Sequence, residues 1–245
     1  MSELSPPSNP VAAAVIAPPP RKTSVIYVDG FNFYYGLLHQ RPELKWLNLQ
    51  RLAELLRPDD DILKVRFFTA LLDVGQPVSE KRDRQKRLWR ALGTQPKVEL
   101  VLGKFARRER DCLVATCPYR HKFWAMEEKQ TDVNIALAMV RDIPSFKPQV
   151  VVLVSGDIDL LPALEEVTRM DRSIKLVVYI PAPEHELKHR RKDEFGKFAA
   201  VVKPISEKYL RMAQFPARVS DGQGGFIERP KAWPEAPPPE SAIRG

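Results

Sequence analysis

A doubly wound α/β fold, a mostly parallel sheet with helices on both faces, is what this sequence predicts, and three observations predict it. Apolar, β-branched runs recur along the chain, helix-like segments separate them, and two of the runs end in aspartates: Asp29 after Ser24–Val28, and Asp157 with Asp159 after Val150–Ser155. Strands alternating with helices imply right-handed crossovers and a parallel sheet. In such a sheet the carboxyl ends of the strands share a crevice, and ligands bind where the strand order reverses. Carboxylates at that place are costly unless something positive meets them. The sequence therefore describes an acidic pocket in a protein of net charge +8.

The elements follow in order. Strands are expected at Ser24–Val28, Leu63–Ala70, Val98–Lys104, Val150–Ser155, Lys175–Ile180 and Ala199–Pro204, each a β-branched or aromatic run. Helices are expected at Phe31–His39, Leu49–Arg57, Ser79–Leu92, Asp132–Arg141, Leu160–Met170 and Glu184–Phe195. In the third of these, Leu88, Trp89 and Leu92 form the side to be buried, and the Lys81–Arg87 charge run forms the solvated side. Thr131 stands where an N-cap would precede Asp132, whose charge suits the first turn of a helix. Asp157 or Asp159 would cap the helix near Leu160. One cap does not use up two aspartates, and it leaves Asp29 without a role.

Composition bounds the rest. At 245 residues and 44% hydrophobic content the chain can bury one good core. The folded unit is expected over 23–213. The Pro-, Ser- and Ala-rich 1–22 and the Pro- and Gly-rich 214–245 are expected to be disordered tails, so removal of 1–21 and 221–245 should be tolerated. Two cysteines argue against a disulfide scaffold and fit a reducing cytoplasm. No apolar stretch approaches the roughly 20 residues of a membrane span. Val11–Ala17 is short, flanked by prolines and without a basic leader, so it does not read as a signal peptide. Positive net charge suits a polyanionic partner such as nucleic acid.

Three motifs carry the chemistry: Val28-Asp29-Gly30-Phe31-Asn32, Glu128-Lys129-Gln130-Thr131-Asp132-Val133-Asn134-Ile135-Ala136, and Ser155-Gly156-Asp157-Ile158-Asp159-Leu160. In this order and on this β/α pattern the chain resembles the NYN domains, which belong to the PIN-like and flap-nuclease superfamily of metal-dependent nucleases, Rossmannoid in fold. The resemblance covers roughly 25–204. It implies that Asp29, Asp132, Asp157 and Asp159 are a catalytic and metal-binding quartet, with Asn32 and Ser155 in support, and that the activity is metal-dependent cleavage of single-stranded or structured RNA. An all-oxygen ligand set suits Mg²⁺ or Mn²⁺ rather than zinc. Asp29 and Asp157, at strand ends, would be the primary ligands, with Asp132 and Asp159 holding a second ion or orienting the attacking water.

Lys129, close before the site helix, and Arg107 and Arg108 are candidate contacts to substrate phosphate, and the basic segments Lys81–Arg90, Lys104–Arg110 and Lys188–Lys192 could line a groove for the phosphate backbone. One of Phe31, Phe33, Tyr34 and Tyr35 would stack on a base while the others join the core. Cys112, Cys117 and His121, spaced C-x₄-C-x₃-H, are candidate structural zinc ligands, with His185 or His189 as a fourth. Their spacing departs from the C-x₂-C knuckle, so two reduced thiols is the preferred reading. The competing functional classes are a catalytically inactive RNA-binding or scaffolding module on the same fold, and a D-x-D phosphatase or glycosyltransferase. A phosphatase wants its D-x-D on the first strand, and a glycosyltransferase gives no role to Asp29 or Asp132.

Overall fold

The computed structural model describes residues 20–71, 80–112, 122–183 and 189–238. Six parallel strands form one sheet: β1 (Lys22–Asp29), β2 (Asp60–Thr69), β3 (Val98–Leu102), β6 (Val150–Val154), β7 (Lys175–Ile180) and β8 (Val201–Pro204), in the order β3-β2-β1-β6-β7-β8. The chain winds outward from β1 through β2 to β3, then returns to β6 on the other side of β1 and winds outward again. The order reverses between β1 and β6, whose register sets Val28 beside Val154. That is the switch point at which a crevice opens beyond the strand ends.

The central strands are buried on both faces, as their unbroken apolar runs require. Alternation along β1 sends Ile26 and Val28 into one core and Val25 and Tyr27 into the other. The first core includes α2 (Leu49–Leu56) and α7 (Glu207–Met212). The second takes α4 (Thr131–Phe146) and α5 (Leu161–Met170). The remaining helices are α1 (Gly30–Phe33), α3 (Glu80–Gly93) and α6 (His189–Gly196).

Three expectations are corrected. The helix expected at Phe31–His39 is a single α turn, α1, running into a π-helical turn at Tyr34–Leu38. There the backbone of Gly36 lies against the Pro181 carbonyl beyond β7, so closely that a Cβ would collide with it. Thr131 does not cap α4. Gln130, at φ 80°, turns the chain in the left-handed region, and Thr131 is the buried first residue of the helix. The stretch between β3 and α4, where no strand is expected beyond Lys104, carries an antiparallel hairpin outside the main sheet, β4 (Lys104–Asp111) with β5 (Lys122–Lys129).

The C-terminal segment is also corrected: residues 214–238 are part of the folded unit. Strands β9 (Arg218–Ser220) and β10 (Phe226–Glu228) pair antiparallel. Phe215, Val219 and Ile227 are buried, and Trp233 packs on the same core. Trp46 anchors the segment, its ring 5.6 Å from Phe215 and 6.3 Å from Trp233. Its indole N–H donates to the Pro216 carbonyl at 2.8 Å. A few well-spaced apolar anchors thus outweigh a Pro- and Gly-rich composition. Residues 1–19 lie outside the described residues, while Lys22 already begins β1. Ending the chain at Ala213 should cost about 5 kcal/mol or more, since three buried apolar side chains are lost at roughly 1.5–3 kcal/mol each. Thermal unfolding of the truncated chain measures this, and an unchanged midpoint would restore the tail reading.

Candidate functional site

The site is built where β1 and β6 end. Asp29 closes β1 and caps α1, its Oδ1 accepting the Asn32 N–H at 3.0 Å. Its Oδ2 accepts the Ser155 hydroxyl, 2.8 Å away at the end of β6. Asn32 returns the link across the crevice, its Oδ1 accepting the Gly156 N–H at 2.8 Å. Ser155 Oγ accepts the Asp157 N–H at 3.0 Å, and Asp157 Oδ1 accepts the Asp159 N–H at 3.0 Å, capping a 3-10 turn at Ile158–Leu160. Five hydrogen bonds therefore stitch the first and third motifs into one unit at the switch point. Gly30 is obligatory within it, because a Cβ there would run into the Phe68 carbonyl of β2.

Asp29 is 3% exposed. Burial pushes its carboxyl above the ordinary 3.8, the Asn32 N–H and the Ser155 hydroxyl oppose that shift, and the Asp157 charge adds to it. No cation is among these influences. Asp157 is half-buried and Asp159 exposed. Among the described residues, the second carboxylate oxygen of Asp157 and both of Asp159 accept no hydrogen bond. The arrangement is a buried acid with an acidic neighbour, short of positive charge.

The structure brings Asp29, Asn32, Ser155, Asp157 and Asp159 together through the bonds above. Asp132 sits, exposed, in the first turn of α4, and α4 packs against the 158–160 turn. The quartet is not gathered as a ready-made cluster: among the described residues, no three His, Cys, Asp or Glu side chains are disposed to hold a metal ion. The reason lies in the supports. Asp29 and Asp157 stand at adjacent strand ends, whereas Asp132 enters from the first turn of a helix that packs across the sheet.

Lys129 ends β5, opposite Lys104 in the hairpin register. Arg107 and Arg108 lie on β4, and their side chains fall outside the described residues. Cys112 is a free thiol, while Cys117, His121 and His185, and the side chain of His189, fall outside the described residues. One cation near the site was visible in the sequence only as part of a charge run. Arg191 on α6 has its Nη1 3.5 Å, and Asn32 its Oδ1 3.4 Å, from where a Cβ on Gly156 would be.

The raised Asp29 carboxyl gives a stability prediction of definite sign. The group binds its proton more readily folded than unfolded, so its contribution is fully present below 3.8 and is lost as pH rises through the folded value. Asp29→Asn should therefore raise the thermal midpoint of the metal-free protein at neutral pH, and that gain should shrink as pH falls towards 3.8. Melting curves in EDTA across this window test it. A variant less stable than wild type at every pH would make Asp29 a purely structural cap.

A family model described as NYN domain matches residues 23–197. The chain is 27% identical over 237 residues to the 6-hydroxy-3-succinoylpyridine 3-monooxygenase HspA of Pseudomonas putida, covering 85% of this chain and 74% of that one. Among solved structures it is similar to a protein of unknown function from Vibrio parahaemolyticus, at 17% identity and TM-score 0.47, over 76% of this chain and 94% of that one. An N-carbamoylsarcosine amidase from Thermoplasma acidophilum matches at 13% identity and TM-score 0.34, over 76% and 97%.

Proposed function

Because the chain belongs to the NYN domain family, whose fold is nuclease-like, we propose that it is a metal-dependent ribonuclease, hydrolysing RNA phosphodiester bonds at the switch-point crevice. The observation that carries this reading is Asp29, a carboxylate buried at 3% exposure beside Asp157; burial and the Asp157 charge push its carboxyl above the ordinary value. The donor set fits a hard divalent cation, Mg²⁺ or Mn²⁺: it is oxygen throughout, with no histidine or thiolate. Asp29 and Asp157 would hold the ion, with Asp132 and Asp159 the further candidates. Bound there, such an ion lowers the pKa of a water and offsets the charge on the phosphoryl oxygens.

The chain's own residues do the positioning. Ser155 and the Asn32 N–H fix both oxygens of Asp29, and the Asn32 side chain fixes the Gly156 backbone, so the two strand ends keep one geometry. Asp159, exposed and without a hydrogen-bond partner on its carboxylate among the described residues, orients the attacking water and takes its proton. Arg191 supplies positive charge beside Gly156 for a phosphate flanking the scissile bond.

A second reading, a catalytically inactive RNA-binding module, is favoured by one observation, the lack of a preformed group of three metal-ligating side chains among the described residues. The deciding experiment incubates purified protein with labelled RNAs and DNAs in Mn²⁺, Mg²⁺ or EDTA. Cleavage of RNA that EDTA abolishes is the expected result. RNA binding without cleavage would favour the second reading. The compound named for the Pseudomonas relative belongs in the same panel, in air with a reductant. Its conversion with RNA left intact would displace the nuclease reading.

A further inference from the structure

On the β2 side of Asp29 the structure holds a cavity of about 330 Å³, beyond the ends of β1 and β2 and between α1 and α3. Gly30 and Phe31, the two residues after Asp29, form part of its wall, so it adjoins the crevice without including either carboxylate. Its size is at the lower end of small-ligand pockets, roughly 300–1,000 Å³. It would take one ring with a substituent and not a longer chain.

The lining is aromatic and positive. Tyr34 and Tyr35 stand on the π-helical turn, which the Gly36 contact with Pro181 holds against the end of β7. Their rings meet edge-on at 5.2 Å, and Tyr35, with the His39 ring tilted against it at 5.4 Å, remains 65% exposed. Trp89 contributes from α3. Lys45, Lys81 and Arg84 bring the charge, and no Asp or Glu lines the cavity among the described residues. Lys45 is held in place, its Nζ donating to the His39 carbonyl at 2.9 Å and lying 5.1 Å from the centre of the Tyr34 ring. Burial, then the charges of Arg84 and Lys81, hold its ammonium below the usual lysine range. Arg84 has one acidic partner, Glu80 at 3.1 Å, and that carboxylate is 92% exposed, so the pair is well screened. Three cations meet at the cavity, against Glu43, which acts on Lys45, and the exposed Glu80, so the wall is left with net positive charge for an anion.

We propose that this cavity binds a flat aromatic ring carrying an anionic group, the ring stacked among Tyr34, Tyr35 and Trp89 and the anion met by Lys45, Lys81 and Arg84. A nucleotide of an RNA strand and a free aromatic acid share this chemistry. The RNA source rests on the nuclease reading, and the ring-and-anion chemistry does not.

Calorimetric titration of the full chain in EDTA tests it, since binding there requires no cleavage and so stands or falls apart from RNA hydrolysis. The probes are uridine 5′-monophosphate, pyridine-3-carboxylate, uridine and ribose 5-phosphate. At least one of the two ringed anions should bind about tenfold more tightly than uridine or ribose phosphate, because stacking is worth about 1–3 kcal/mol per base. Preference for the nucleotide would identify the RNA source, and preference for the pyridine acid the small-molecule source. Tyr35→Ala and Arg84→Gln, both at exposed or half-exposed positions, should each weaken that binding about five- to tenfold with unchanged circular dichroism. No binding of either ringed anion at millimolar concentration, ribose phosphate binding as well as both ringed anions, or variants binding like wild type would overturn the proposal.

Discussion

Asp157→Asn should fold as the wild type does and lose metal-dependent RNA cleavage by about 10²–10⁴-fold. Folding survives because the structural duties of Asp157 need an oxygen and a backbone N–H, not a charge. Its Oδ1 accepts the Asp159 N–H at 3.0 Å, which an amide oxygen also does, and its own N–H still donates to Ser155 Oγ. What the amide cannot supply is the second negative oxygen beside Asp29. RNA binding should persist, because phosphate contacts come from basic side chains elsewhere. Cleavage rate against Mn²⁺ concentration, with binding measured on the same preparation, separates the outcomes. A variant that cleaves as fast as wild type would reduce Asp157 to a cap. A wild type that cleaves no RNA in either metal would hand the fold to the inactive-module reading.

The residues of that experiment were legible in the sequence for a physical reason. Val150–Val154 and Ser24–Val28 are apolar at every position or nearly so, the pattern of strands buried on both faces, and each ends in an acid that only a functional or capping role explains. Asn32 and Ser155 came with those strand ends. The hairpin β4–β5 was not legible, because K-F-A-R-R-E-R-D is dominated by charge and lacks the buried alternation of a sheet strand. Trp233 was misread for the opposite reason. It lies among prolines, Pro230, Pro234 and Pro237, and its partner, Trp46, is far away in sequence. The cationic cavity was illegible on the same ground, since Lys45, Arg84 and the Tyr34–Tyr35 pair meet only once α3 lies across the end of β2.

The largest expected effect of a single substitution on stability lies outside the crevice, at Asp142. This α4 residue is 3% exposed and receives Arg66 of β2 in a two-pronged pair, Nε to Oδ2 at 2.5 Å and Nη2 to Oδ1 at 2.8 Å. The Tyr27 hydroxyl of β1 donates to Oδ2 at 3.0 Å, and burial with the neighbouring Asp142 charge pushes the Tyr27 phenol far above its ordinary range. Arg66 also reaches Glu99 of β3, so the cluster of Arg66, Asp142, Tyr27 and Glu99 joins three strands and a helix. Asp142→Ala removes the acid and leaves a largely buried guanidinium, its side chain 11% exposed, with only the half-exposed Glu99 to pair with. Breaking a buried pair from one side costs about 3–5 kcal/mol, which for a domain of this size lowers the thermal midpoint by roughly 6–20 °C. Tyr27→Phe, losing one hydrogen bond, should cost about 1 kcal/mol. The combined Arg66→Met and Asp142→Leu variant should recover most of the loss, because replacing both charges by apolar groups removes the desolvation penalty along with the attraction. A double variant as unstable as Asp142→Ala would show instead that the pair contributes net attraction. A fully stable Asp142→Ala would show that α4 is held to the sheet by its apolar face alone.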